Sequence, residues 1–267
     1  LCELQGYVFD AWLRMAEVFD WLQEPDRAAT LRRKAGELQA RFEAEFWCEE
    51  IGSYAFGLDP HKQPIKTVAS NAGHLLWSGI ARPDRAARVV ERLLEPDMWS
   101  GWGIRTLSSA HVSYNPLSYQ LGSVWPHDNA CIASGLHAYG FDPEAAQVAR
   151  GLFDAAQHFY DGRLPELFGG FDRDPGAVPV PYVDANAPQA WAAGAVVQLV
   201  CSLLGFEAHA PSHTLTLQPG RPEGRDRVRG RNLHVGTAIV DLTVRRSATG
   251  HELDIEQLHG HLDCSLR

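Results

Sequence analysis

A mainly α-helical fold, built from repeated helical hairpins and ending in a small antiparallel β unit, is what this sequence predicts. Three observations carry that expectation. Short segments rich in Pro and acidic residues recur at a regular interval. Apolar residues on either side of them keep helical spacing. Beyond about residue 207 the spacing becomes that of strands.

The recurring segments are Pro25-Asp26-Arg27-Ala28-Ala29, Pro83-Asp84-Arg85-Ala86-Ala87 and Asp142-Pro143-Glu144-Ala145-Ala146, roughly 60 residues apart. Proline suits the first helical turn, where its missing N–H would have had no partner. Acidic neighbours favour the positive end of the helix dipole. Each segment therefore reads as a tight turn that opens a helix. Before the first turn, Leu4, Val8, Trp12, Met15, Phe19 and Leu22 fall three or four residues apart; after it, Leu31, Ala35, Leu38, Phe42 and Phe46 do the same. Such stripes mark amphipathic helices. The pattern predicts helices over roughly 3–23, 26–47, 69–81, 84–95, 127–140, 143–159 and 187–204. The repeating unit is helix, short turn, helix, long connection, a period typical of repeated supersecondary units.

Leu215, Leu217, then Ala238, Val240, Leu242, Val244, then Leu253 and Ile255 alternate with polar residues, which is strand periodicity. Two domains are expected: a helical-hairpin part over 1–206 and a β-rich unit over 207–267. The chain opens on the top of a helix without an initiator Met, so it reads as a piece of a longer protein.

Composition excludes several classes. A net charge of −9, with no Lys/Arg cluster in residues 1–206, argues against nucleic acid as a partner. The arginines between Arg221 and Arg231 read as a solvated loop. No apolar run is long enough to span a bilayer. Five widely spaced cysteines form no CxxC pair, so neither a zinc site nor a disulfide framework is indicated. Reduced thiols in a cytoplasmic protein fit this usage.

The long connections, about 48–68, 96–126 and 160–186, hold the unusual residues. Structureless loops longer than about 12–15 residues are uncommon and often functional. Trp99 to Arg105, including Trp102, form one cluster. Tyr114 and Asn115 run on to Trp125, His127 and Asp128. Glu166 lies in Leu164-Pro165-Glu166-Leu167, and Gln189 and Trp191 open the last helix. Glu3, Gln5 and Tyr7 belong to the same end. Trp and Tyr offer flat apolar faces with a polar tip, suited to the C–H side of a pyranose. Asp, His, Arg, Asn and Gln can match hydroxyl groups once water is excluded. Glycosidic hydrolysis needs a pair of carboxyl groups, and an apolar surround could tune Glu166. Structural readings stand beside these. Trp99 and Trp102 would equally serve as core plugs. Asp128 would serve the helix dipole, and His127 would be a hydrogen-bonded structural histidine. Arg105 would pair with Glu3, Gln189 and Trp191 would cap and pack a helix, and Glu166 would be a solvated loop carboxylate.

At these motifs the chain resembles bacterial amylo-α-1,6-glucosidases, the glycogen-debranching type of the six-hairpin glycosidases. The matching segments are Glu3-Leu4-Gln5-Gly6-Tyr7, Ser70 to Trp77, Gly101 to Thr106, Tyr114-Asn115-Pro116 with Gly122 to Asn129, and Pro188 to Ala192; the likeness runs on into the β tail. The resemblance implies part of an (α/α)6 toroid and an inverting mechanism that needs neither metal nor organic cofactor. It places the general base on Glu166. It places the acid in a segment preceding Glu3, outside these residues, so the N-terminal half of the catalytic domain would be the missing partner and the piece alone inactive. Substrate contacts would come from Glu3, Gln5, Trp102, Arg105, Tyr114, Asn115, Trp125, His127, Asp128, Gln189 and Trp191. The substrate would be an oligosaccharide or a small glycoside. Asp184-Ala185-Asn186-Ala187 departs from the Cys-Ser that many relatives carry there.

Rival readings are a polysaccharide lyase, using Tyr114, Asn115, His127 and Arg105 for proton abstraction beside a uronate, and a non-catalytic glycan-binding module. A terpenoid cyclase would need an Asp-Asp-x-x-Asp run, which is lacking.

Overall fold

The computed structural model describes residues 1–219, 227–247 and 250–267. Seven α-helices lie among them: α1 (Cys2–Trp21), α2 (Pro25–Glu45), α3 (His74–Trp77), α4 (Pro83–Leu93), α5 (Pro126–Ala138), α6 (Asp142–Ala156) and α7 (Ala190–Leu204). The seven expected helices are all present. Pro25, Pro83 and Pro126 each occupy a first helical position, and Pro143 follows Asp142 in α6. Helices α1 and α2 pack as a hairpin, as do α5 and α6, and α3 packs on α5.

The third helix is much shorter than its expected span of 69–81. Its start is held extended by a bridge between Ala69 and Leu107 and by Ser70 N–H donating to the Thr106 carbonyl. A 3-10 turn over Ser70–Gly73 follows, and Gly79, with φ +74°, ends the segment. The last helix begins at Ala190 rather than 187, since the residue before Pro188 is biased away from helical geometry.

The long connections are more regular than loops. Strands β1 (Trp47–Cys48) and β2 (Ser53–Tyr54) pair antiparallel, as do β3 (Gly57–Leu58) and β4 (Pro64–Ile65). Single bridges then link Arg105 to Val124, Val124 to Phe168 and Phe168 to Pro181. This ladder laces the two longest connections together. Val124 and Phe168 exchange both backbone hydrogen bonds, at 2.9 and 3.0 Å, and both are fully buried.

Two compact units divide at Gln198/Leu199, inside α7. The second unit holds β5 (Phe206–His209), β6 (Thr214–Leu217), β7 (Arg227–Val235), β8 (Ala238–Ser247), β9 (Gly250–His259) and β10 (Asp263–Leu266). Strands β7, β8 and β9 form an antiparallel meander. The other sheet, β10-β6-β5, is mixed, because β10 pairs parallel to β6. That corrects the expectation of an antiparallel unit throughout. A parallel pair needs a long crossover, and here the β7–β9 meander lies between the two strands in sequence. Leu215, Leu217, Ala238, Val240, Leu242 and Val244 point into one core with Val235 and Leu262, as their alternation predicted. Of the arginine-rich stretch read as a solvated loop, 221–226 lie outside the described residues. Arg227 onward is strand β7, because its backbone pairs with β8.

Candidate active site

The starts of α1, α3, α5 and α7 converge on one cleft of about 640 Å³. Glu3 and Tyr7 reach it from α1, Asn71 and His74 from the third-helix segment, Trp125, His127 and Asp128 from the start of α5, and Trp191 from α7. Thr106, His111 and Tyr119 close it from the 96–126 connection. Helix starts carry partial positive charge, so this end of the unit suits carboxylates such as Asp128.

Aromatic rings form one wall. The His127 imidazole stacks on Trp191 with ring centres 3.9 Å apart and planes at 8°. Trp125 meets Trp191 and Tyr119 edge-on, at 5.9 and 4.7 Å. The Trp125 indole N–H donates to the Tyr119 carbonyl at 2.9 Å and to Ser123 Oγ at 3.1 Å, so its ring is fixed. Burial holds the His127 imidazole below its ordinary pKa despite the nearby carboxylates of Asp128 and Glu166. Among the described residues, His127 Nδ1 and Asp128 Oδ2 are buried without a hydrogen-bond partner. Buried polar atoms are normally satisfied.

Glu166 stands directly behind Tyr119. The Tyr119 hydroxyl donates to Glu166 Oε1 at 2.7 Å, and Asn186 Nδ2 donates to Oε2 at 2.9 Å. Asn186 N–H also reaches Oε2 at 3.3 Å, while Glu166 N–H returns a bond to the Asn186 carbonyl at 2.9 Å. The hydrogen bond from Tyr119, with further ones from Asn186 and Gln189, holds the Glu166 carboxyl below the ordinary range. Leu164 and Leu167 are buried beside it, but donors rather than the apolar surround set the direction. The sequence showed the leucines and not the donors. Gln189 also accepts from Ala190 N–H at 2.9 Å, so it both caps α7 and touches the carboxylate.

Other predicted residues sit elsewhere. Trp102 is buried, stacked under the Arg173 guanidinium at 4.2 Å and edge-on to His158. Arg105 is 1% exposed and does not pair with Glu3. Its guanidinium donates to the Gly170 carbonyl at 2.7 Å, to the Pro96 carbonyl at 3.0 Å and to Asp172 at 2.5 Å. The Tyr114 hydroxyl donates to the same Gly170 carbonyl at 2.9 Å, and Asn115 shapes a turn by accepting from Leu117 N–H. These four residues tie loops together; Gln5 lines a separate hollow with Leu38, Phe42 and Glu45. None of the five lines the cleft, nor do Glu166 and Gln189, which lie behind its Tyr119. Sequence reasoning passed over His74, Tyr119 and Asn186 as site residues. His74 lay inside a quoted motif and was legible there. The roles of Tyr119 and Asn186 depend on a fold that brings residues 47 and 20 positions away onto one carboxylate.

Residues 3–174 match the mannosylglycerate hydrolase MGH1-like glycoside hydrolase domain. The chain belongs to this family. No curated protein matches it in sequence. Among solved structures, this glycoside hydrolase-family chain is similar to a mannosylglycerate hydrolase of the GH63 family from Thermus thermophilus, bound to Tris: 20% identity, TM-score 0.59, covering 74% of this chain and 44% of that one. It is also similar to the neutral trehalase of Saccharomyces cerevisiae, at 15% identity and TM-score 0.59, covering 76% and 38%. A sialidase superposes over 98% of this chain and 26% of its own, at 12% identity and TM-score 0.77. At such identities the likeness is one of fold, that of six-hairpin glycosidases. The chain spans less than half the length of each of these structures.

Proposed function

We propose that this chain supplies the glycone-binding wall and the general base of an inverting α-glycoside hydrolase, acting on glucans or small glucosides in the manner of amylo-α-1,6-glucosidases. The reading rests on one observation above all. His127 and Asp128 line an aromatic-walled cleft whose Tyr119 holds the Glu166 carboxylate, and each keeps one buried side-chain atom, Nδ1 and Oδ2, without a hydrogen-bond partner among the described residues. A sugar hydroxyl can donate to the carboxylate oxygen while its neighbour engages the imidazole nitrogen, which removes the cost of leaving both unpaired. Trp125 and Trp191 give apolar faces for the ring.

Glu166 is the proposed base. Its oxygens are oriented by Tyr119 on one side and Asn186 on the other. In an inverting enzyme a water molecule activated by the base attacks opposite the leaving group, and a second carboxyl group protonates the leaving oxygen. The acid is proposed to come from outside these residues, consistent with the share of its relatives that the chain spans. The helices would then form part of an (α/α)6 ring. No Lys or Arg lines the described cleft, while Glu3 and Asp128 do, so its wall favours a neutral sugar over an anionic one. Elimination is less well supported, because Arg105 and Tyr114 are committed to backbone carbonyls.

The test is product stereochemistry in the full protein that carries this chain. Incubation with isomaltose, a branched dextrin, glucosylglycerate and mannosylglycerate, followed by proton NMR of the first product, should show the β-anomer released from an α-linked neutral glucoside. Release of the α-anomer, or of an unsaturated sugar, would refute the mechanism. A strong preference for mannosylglycerate would refute the α-glucosidic substrate class.

A further inference from the structure

The orphaned oxygen of Asp128 has a counterpart that is not orphaned. Asp128 Oδ1 lies 2.5 Å from His74 Nε2, and His74 Nδ1 lies 2.9 Å from the Tyr7 hydroxyl. The chain of contacts runs from α1 through α3 to α5. His74 is 8% exposed and Asp128 6% exposed. The Tyr7 ring also sets its edge against His74 and Trp77, with centres 5.9 and 6.0 Å apart. A carboxylate gripped at one oxygen cannot rotate, so the other oxygen points one way only.

We propose that Tyr7 and His74 are positioning residues. They fix Asp128 so that Oδ2, with His127 Nδ1 beside it, forms a two-point notch for adjacent hydroxyls of the sugar. The proposal rests on the glycone-site reading above. His74 acts through its contact with Asp128. The arrangement serves both charge states of His74. Charged, the imidazole donates to Asp128 and to the Tyr7 oxygen; neutral, it still donates to Asp128 and accepts from the Tyr7 O–H. Burial keeps the Tyr7 hydroxyl protonated, since it pushes that group well up.

A pH dependence follows. Burial opposes the charged form of His74, but the hydrogen bond and charge of Asp128, with the charge of Glu3, outweigh it and raise the imidazole above its ordinary pKa. The other titratable groups around the pair are Cys2 on α1 and His127 and Cys131 on α5; the Ser70–Gly73 turn adds none. The charge-assisted grip on Asp128 is therefore complete at low pH and weakens as pH rises through the raised pKa, because charged donors make the stronger bond.

The experiment measures binding of methyl α-D-glucopyranoside to the full protein by calorimetry or NMR, at several pH values. His74→Ala should weaken binding by about 10-fold, the scale of leaving a buried carboxylate oxygen unpaired. His74→Gln, whose amide can donate at the Nε2 position, should recover most of that loss. Tyr7→Phe removes a single oxygen and leaves the charged imidazole with an unsatisfied donor. It should lower both the NMR titration point of His74 and the pH at which sugar affinity declines, by the same amount. Circular dichroism checks that each variant is folded. Should His74→Ala fail to fold, the parallel shift in Tyr7→Phe decides. Undiminished binding in folded His74→Ala, no recovery in His74→Gln, or an unmoved pH profile in Tyr7→Phe each overturns the proposal while leaving the glycone site standing. Absence of saturable binding by the unaltered protein overturns the glycone site itself, and the proposal with it.

Discussion

Glu166 has hydrogen bonds from Tyr119, Asn186 and Gln189 that keep it ionised below the pH at which a free glutamate protonates. Its proposed role as general base predicts two outcomes in the full protein. Glu166→Gln keeps shape and loses the base, so kcat should fall by about 10²–10⁴ while sugar binding stays close to normal; an unchanged kcat excludes the role. Tyr119→Phe removes the first of the donors. A lowered pKa means that the working, ionised form persists to lower pH, and the acid limb of kcat/KM reports this in the free enzyme. That limb should lie below the range of an ordinary glutamate and move upward in Tyr119→Phe. A limb that stays in place would separate Tyr119 from the base. At this scale the sequence was informative about residue type but not about engagement. Trp125, His127, Asp128 and Trp191 meet in one cleft, whereas Arg105 and Trp102, equally conspicuous in sequence, are held by Gly170, Asp172 and Arg173. Nothing in the order of residues tells an arginine that faces a sugar from one that faces a carbonyl.

Helix α5 carries the site, and its placement depends on a missing side chain. Gly135 allows α5 to lie against the backbone of the third-helix segment. A Cβ there would come within 2.4 Å of Trp77 N and 2.7 Å of the Leu76 carbonyl carbon. Backbone cannot step aside as a flexible side chain can, so overpacking at Gly135→Ala should cost about 1–3 kcal/mol. Because the same contact sets His74 against Asp128, sugar affinity should fall with the melting temperature. A variant with unchanged stability would show that the two segments are not tightly apposed. Gly170 plays a similar part between the connections: a Cβ there would lie 1.7 Å from the Gly122 carbonyl oxygen. Helix existence was legible from apolar spacing and from Pro at the helix starts. The shortness of α3 was not, because the bridge between Ala69 and Leu107 is a long-range contact that overrides a good local helical pattern.

For the helical unit as a whole, α1 leaves Leu4, Val8, Met15 and Trp21 exposed, between 42% and 50%. Val197 on α7 is exposed as well. Apolar groups repeated along one helix form a patch of the kind that marks an interaction surface. Residues 1–267 expressed alone should therefore self-associate, which light scattering on a sizing column would detect, and should not hydrolyse α-glucosides, for want of the general acid proposed to lie outside them. A monodisperse, active monomer would require the acid to be found within these residues, with Asp128 as the first to test. Among the described residues no helix is long and apolar enough to cross a membrane, and the five cysteines are free thiols.

The sequence alone determined the period of the hairpins, the switch to strands near residue 207 and the end of the helices near which Glu3, Trp125, His127, Asp128 and Trp191 lie. Those features are local: helical spacing, strand alternation and proline at a first turn are properties of neighbouring residues. Tertiary structure decided the rest. It chose which conspicuous side chains face the cleft, gave Glu166 its donors, paired β10 parallel to β6 and joined Tyr7, His74 and Asp128 across three helices. Each of these depends on groups far apart in the chain meeting in a dry interior. There an unpartnered polar atom is costly, and only the assembled fold decides which partner it finds.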